Sequence, residues 1–167
     1  MTPAVAYVGL GSNLDEPARR IALALTELEG IPATRVLRHS RLYRSAPWGL
    51  VAQPDFINAV AEIETSLSPR AMLWHLLSIE RRHGRQRGEQ RWGPRVMDLD
   101  LLLHADLRIS EPGLELPHPR MHERAFVLVP LAELDPRLEI PGHGSVGSLL
   151  ATTGDGGCIA LQACAVG

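Results

Sequence analysis

The chain predicts an α+β fold, a sandwich in which helices cover one face of a sheet. Three observations carry that reading. The apolar periodicities run strand, helix, strand, strand, helix, strand in order along the chain. The length of 167 residues fits one domain, 1–167, with residues 142–167 as a glycine-rich tail. Hydrophobic residues make up 45% and charged residues 22%, a balance that supports a packed core without help from disulfides or structural metal.

Each element follows from local chemistry. Ala4–Gly11 is a short apolar run rich in valine, closed by glycine, and reads as a strand. Asp15 or Pro17 opens a helix whose apolar positions are Ile21, Leu25 and Leu28, with Gly30 as its stop. Thr34–Arg44 reads as a second strand. The segment SAPWGLVAQPD contains Pro47, Gly49 and Pro54 and should be irregular. Phe56–Thr65 alternates cleanly and is a third strand. Ser68 caps a helix that has Pro69 at its first position and runs to Gly84. Gly84–Pro94 is polar, glycine-punctuated and arginine-rich, which predicts an exposed, mobile loop. Val96–His104 returns to strand. Pro112, Pro117 and Pro119 make residues 111–119 extended or turning. Ala125–Leu134 is a helix interrupted by Pro130, and Val146–Thr152 a short helix in the tail.

Composition excludes several chemistries. All 17 basic residues are arginine, so no lysine can form a Schiff base, serve a Walker A loop or act as a base. Net charge is −2, which argues against nonspecific attraction to nucleic acid or anionic membrane. No apolar run approaches the ~20 residues that span a bilayer. The start, MTPAVAYVGLGSN, lacks the basic and long apolar stretches of a signal peptide, so the cytoplasm is the expected location. Cys158 and Cys164 have no zinc or redox spacing and read as reduced thiols. Gly9-Leu10-Gly11 lacks the third glycine of a dinucleotide fingerprint. His118 and His122 lack the glutamate of a zinc protease.

Two segments look chemical. In Asp98-Leu99-Asp100 the strand period sends both carboxylates to one face. At ~5–6 Å and an effective dielectric of ~20 they repel by about 3 kcal/mol, so a cation should sit nearby. An all-oxygen pair suits Mg²⁺, and a solvated strand face beside arginines is the bland alternative. Just before it, RRHGRQRGEQRWGPR holds six arginines in fifteen residues: Arg81, Arg82, Arg85, Arg87, Arg91 and Arg95. Guanidinium forks match phosphate oxygens, so phosphate and metal chemistry meet at one place. A small RNA-binding patch with Trp92 stacking on a base is the alternative, as is another Mg²⁺-dependent phosphoryl or nucleotidyl transferase on the same aspartates. The Trp48 segment and Gln53–Asn58 set aromatics beside a side-chain amide, a pairing that can hold a planar heterocycle, though Trp48, Phe56, Trp92 and Phe126 could equally be core.

Taken together, AYVGLGSNL, QPDFINAV, Arg91-Trp92-Gly93-Pro94-Arg95 followed by Asp98-Leu99-Asp100, and the LPHP segment resemble the 6-hydroxymethyl-7,8-dihydropterin pyrophosphokinases of folate biosynthesis. The resemblance runs from the start to about Pro141. It implies a ferredoxin-like fold with a mainly antiparallel sheet, usually monomeric, that moves pyrophosphate from ATP to a pterin hydroxymethyl group and leaves AMP. By the same resemblance, Asp98 and Asp100 match ligands of two Mg²⁺ ions, and Arg85 and Arg95 match loop arginines that engage phosphates. Ser45, Ala46, Trp48, Phe56, Asn58, Trp92 and Phe126 match pterin-site positions, the ring lying between Phe56 and Phe126. Glu80, Arg87, Leu101, His118 and Arg124 match nucleotide contacts. Partners are then the two small substrates, with neither nucleic acid nor membrane. The chain departs from the pattern at Gly88, Gly113, Glu115 and Pro119, where relatives offer lysine, arginine, threonine and tyrosine.

Overall fold

The computed structural model describes residues 2–47, 52–84 and 96–162. Its main sheet is built from Ala4–Ser12 (β1), Thr34–His39 (β2), Tyr43–Ser45 (β3), Phe56–Thr65 (β4), Asp98–His104 (β5) and, from the tail, Ile159–Ala160. Two helices, Pro17–Glu29 (α1) and Pro69–Arg82 (α2), connect the strands as the sequence predicts. Strand β4 pairs with β1 on one side and with β2 and β3 on the other, and β5 closes the far edge against β1. Every pairing in this sheet is antiparallel. This βαββαβ order, with β1 and β4 central, is the ferredoxin-like arrangement expected of an α+β domain.

Helix α2 starts where its cap chemistry says, Ser68 Oγ accepting from the Ala71 amide at 3.2 Å. Helix α1 begins at Pro17, and Asp15 does not cap it. Asp15 and Glu16 instead take left-handed backbone, φ 53° and 59°, with no side-chain cap. For residues with a Cβ that conformation costs roughly 1–2 kcal/mol each. The expected strand Thr34–Arg44 is broken at residues 40–42. There Ser40 substitutes for the ladder: its amide donates to the Val60 carbonyl, and its Oγ accepts from the Val60 amide at 3.0 Å. The Arg41 amide turns away to the Glu133 carboxylate.

The helices do not all lie on one face of the sheet. Ala6, Val8 and Leu10 of β1, with Ala59, Ala61 and Ile63 of β4 and Leu99 and Leu101 of β5, pack against Ile21, Ala24 and Leu28 of α1 and Met72, Leu76 and Ile79 of α2. On the opposite face, Tyr7, Val60 and Leu102 pack against Val127, Leu128 and Leu131 of a third helix, Ala125–Leu134 (α3). Helix α3 tolerates Pro130 because it is apolar nearly all round. An interior proline costs about 3 kcal/mol, and burying Val127, Leu128 and Leu131 offsets it at ~1.5–3 kcal/mol each. Among the described residues, α3 packs over Tyr7, Val60 and Leu102 of this second face.

The proline-rich segment forms a hairpin of Ile109–Glu111 (β6) and Leu114–Leu116 (β7). The tail contains a two-stranded turn of Glu139–Ile140 (β8) and Gly144–Ser145 (β9), the helix Val146–Thr153 (α4), and Ile159–Ala160 (β10), which pairs with β3. At Gly156, φ is +58° and an added Cβ would lie 2.8 Å from Ala125 Cβ, so the tail crosses the start of α3 at a distance only glycine allows.

Candidate active site

Register builds the site on this second face. Asn58 of β4, Gly11 of β1 and Asp98 of β5 are direct partners in one row, and Val60, Gly9 and Asp100 form the next. Both aspartates therefore stand on the sheet beside a glycine, with the Leu102 side chain over Gly9 and Asn58 Oδ1 over Gly11. Within β5 the burial alternates, with Asp98 and Asp100 half-exposed and Leu99 and Leu101 buried, as the two-residue period requires. Strands lie ~4.8 Å apart, so the Asn58 and Asp98 backbones are separated by roughly 10 Å.

At the β4 end, Asn58 Nδ2 donates to Ser45 Oγ at 2.7 Å, a buried bond that orients the amide. Its Oδ1 lies over Gly11, where an added Cβ would stand 3.2 Å away. Phe56, two residues earlier, shares this face and pairs with Ser45. Phe126 enters from the first turn of α3. Both rings are half-buried, and Ala46 is exposed at the end of β3. Asn13, buried at the end of β1, donates to Gln53 Oε1 at 2.8 Å and to the Pro54 carbonyl at 2.9 Å. Those bonds anchor the approach to Phe56.

At the β5 end, His118 and Arg124 flank the aspartates. The His118 amide donates to the Leu102 carbonyl at 2.9 Å, which fixes the segment beside β5. Its Nδ1 accepts from the Arg120 amide at 3.4 Å, so Nε2 carries the proton, 4.0 Å from Asp100 Oδ1. Burial, and then the Arg124 charge, push His118 down to about 4 against the pull of Asp98, and the ring is neutral at pH 7. Arg124 is half-buried, with its guanidinium 5.5 Å from the Phe126 ring centroid. Burial lowers it from its ordinary value while Asp100, and more weakly Asp98, hold the charge in place. This arginine supplies the cation that two adjacent carboxylates demand, and it joins the ring end of the site to the carboxylate end.

Two expected nucleotide contacts point elsewhere. Glu80 is 3% exposed, and its carboxylate accepts from the Leu99 amide at 2.7 Å, tying α2 to β5 from behind. Leu101 is 4% exposed and belongs to the α1–α2 core, so it offers a ligand only its backbone. Trp48, Arg85, Arg87, Trp92 and Arg95 lie outside the described residues. Gly9 and Gly11, which make no dinucleotide fingerprint, also face the site, and the signal in the residues is two glycines two apart in one strand and so on one face.

The donor set fits Mg²⁺. Two half-exposed carboxylates on one face would supply part of an oxygen shell that water and phosphate complete.

Known proteins resemble the chain in both sequence and shape. The family model of 7,8-dihydro-6-hydroxymethylpterin-pyrophosphokinase (HPPK) matches residues 7–136. A 2-amino-4-hydroxy-6-hydroxymethyldihydropteridine pyrophosphokinase of Pseudomonas aeruginosa is 47% identical over 145 residues, covering 87% of this chain and 89% of that protein. The enzyme of the same name from Haemophilus influenzae is 41% identical over 157 residues, covering 94% and 98%. Among solved structures, an HPPK-DHPS in complex with substrates superposes with a TM-score of 0.73 at 13% identity, over 90% of this chain and 43% of that one. The Plasmodium falciparum HPPK-DHPS with pteroate gives 0.71 at 14%, over 90% and 42%. The chain thus spans less than half of those fused chains, and at such identity they speak for the fold. With the matched segment carrying both the paired carboxylates and the amide–aromatic floor, the chain belongs to the 7,8-dihydro-6-hydroxymethylpterin-pyrophosphokinase family.

Proposed function

We propose that this chain is a single-domain pyrophosphokinase that transfers the terminal pyrophosphoryl group of ATP to 6-hydroxymethyl-7,8-dihydropterin, in folate biosynthesis. The observation that carries the proposal is the row Asn58–Gly11–Asp98. It sets a ring-reading amide about 10 Å from a phosphate-facing carboxylate, with nothing larger than glycine between. That gap matches a bicyclic ring whose hydroxymethyl arm must reach a triphosphate.

In this reading Asn58, held by Ser45, hydrogen-bonds the pterin edge, and Phe56 and Phe126 stack on its faces, with Ala46, Trp48 and Trp92 completing the pocket. Asp98 and Asp100 would hold two Mg²⁺ ions, which neutralise charge on the triphosphate when bound. His118, Arg124 and Arg87 line the nucleotide side. Glu80 holds β5 from behind, and Leu101 contributes backbone. The substrate hydroxyl oxygen attacks the β-phosphorus in line, the bond to the α–β bridging oxygen breaks, and AMP leaves with that oxygen. Arg85 and Arg95 add charge-assisted hydrogen bonds to the phosphates in transit. The neutral His118 ring stands beside Asp100, its Nε2 4.0 Å from Oδ1. Among the described residues no helix is long and apolar enough to cross a membrane. We read the enzyme as a monomer acting in the cytoplasm, where ATP is available.

Nucleotide product analysis tests the proposal. With ATP, Mg²⁺ and the pterin, the reaction should give AMP and a pterin diphosphate in equal amounts, both dependent on the pterin. ADP as the product would place attack at the γ-phosphorus and overturn the assignment.

A further inference from the structure

We propose that Glu133 is a positioning residue for the pterin, holding α3, and with it Phe126, at a fixed height above the β3–β4 floor. The inference rests on the pterin site just described, and adds to it a residue far from the substrate.

Phe126 and Glu133 sit seven residues apart on α3, two turns and therefore the same helix face, with ~10 Å between their backbones. The Glu133 carboxylate gathers three donors from the broken edge of the sheet. The Arg41 amide reaches Oε2 at 3.0 Å, Arg41 Nε reaches Oε1 at 3.1 Å, and the Tyr43 hydroxyl donates to Oε1. Tyr43 is the direct partner of Asn58 and lies two residues before Ser45 on the same face of β3. One carboxylate thus joins the helix bearing the upper ring to β3, which pairs with the β4 floor.

The joint is needed because α3 is weakened near Phe126. Pro130 has no amide hydrogen, so the Phe126 carbonyl loses its helical i+4 donor. The first turn of α3 is then set less by its own hydrogen bonds than by what grips the helix farther along. The break at residues 40–42 serves the same end, because it frees the Arg41 amide from the ladder to reach Glu133. Burial would raise the Glu133 carboxyl, but the bonds from Tyr43 and from the Arg41 backbone and side chain hold it below its usual value. It therefore stays a charged acceptor at neutral pH. Tyr43 is raised by burial and by Glu133, and remains the donor.

Steady-state kinetics of Glu133→Gln and Tyr43→Phe, with each substrate varied in turn, test the assignment. Each variant should raise the pterin KM about tenfold and leave the ATP KM within about twofold. The double variant should be little worse than either alone, because both break one joint. A lowered melting temperature with unchanged pterin KM would make the joint merely structural and overturn the proposal, as would a parallel rise in both KM values. If Glu133→Gln does not fold, Tyr43→Phe, which removes one hydroxyl, gives the same reading. Phe126→Ala separates the two levels of the argument. If it leaves the pterin KM unchanged, the pterin-site reading itself fails. If it raises that KM while Tyr43→Phe does not, only the Glu133 assignment falls.

Discussion

Gly11→Ala separates stability from function at one methyl group. Gly11 stands between Asn58 and Asp98 in the central row of the site, and its φ is not in the left-handed region, so alanine meets no backbone penalty. Relative to glycine in a strand, alanine gains about 0.5–1 kcal/mol by restricting the unfolded chain. Against that, the new Cβ would lie 3.2 Å from Asn58 Oδ1, inside ordinary van der Waals contact. The amide must give by a few tenths of an ångström, yet it is 5% exposed and bonded to Ser45 at 2.7 Å. Turning it off its rotamer costs about 0.5–1.5 kcal/mol. The two terms nearly cancel, so the melting temperature should move by no more than about 3 °C. Catalysis has no such compensation. An ångström of misplacement costs on the order of a hundredfold, so a fraction of it should raise the pterin KM about tenfold. The assay is AMP formation with the pterin varied at saturating ATP, beside a thermal melt. A wild-type pterin KM would refute the placement of the pterin edge over Gly11, and a large loss of stability would refute the near-cancellation.

Three further outcomes are expected. Asp98→Asn, nearly isosteric, should cut kcat at least about a hundredfold while pterin affinity, followed by fluorescence titration, stays within about twofold; retained Mg²⁺-dependent turnover would remove the metal role. Glu80→Gln should lose about 1.5–3 kcal/mol, a fall of roughly 5 °C in melting temperature, with the ATP KM unchanged; a raised ATP KM without destabilisation would make Glu80 a nucleotide contact after all. His118 titrates near 4 in the fold against 6.5 when unfolded, so its contribution is complete above pH 6.5 and is lost as pH falls toward 4. Denaturant titrations from pH 7 to 4.5 should show His118→Gln with a shallower acid decline than wild type, and equal slopes would refute the shift.

Where a feature depends on near neighbours in the chain, the residues alone are enough to place it. Alternation set Asp98 and Asp100 on one face, the Ser68–Pro69 pair started α2, and the clean period of Phe56–Thr65 delivered the longest strand. Each depends on dihedral preferences and side-chain period within a few residues. The paired acids also called for a cation, although not for Arg124 by any local rule.

Tertiary structure decided the rest, because it turned on contacts between residues distant in the chain. That Gly9 and Gly11 face Asp100 and Asp98 is a matter of strand register, set when β1 and β5 pair across some ninety residues. The break in Thr34–Arg44 belongs as much to Glu133 and Val60 as to its own sequence. Glu80 and Leu101 faced the rear once α2 had packed on that side. The sequence alone determined which residues could do the chemistry. Only the fold decided which of them meet, because strand register and the packing of helices on both sides of the sheet set which side chains share the α3 face.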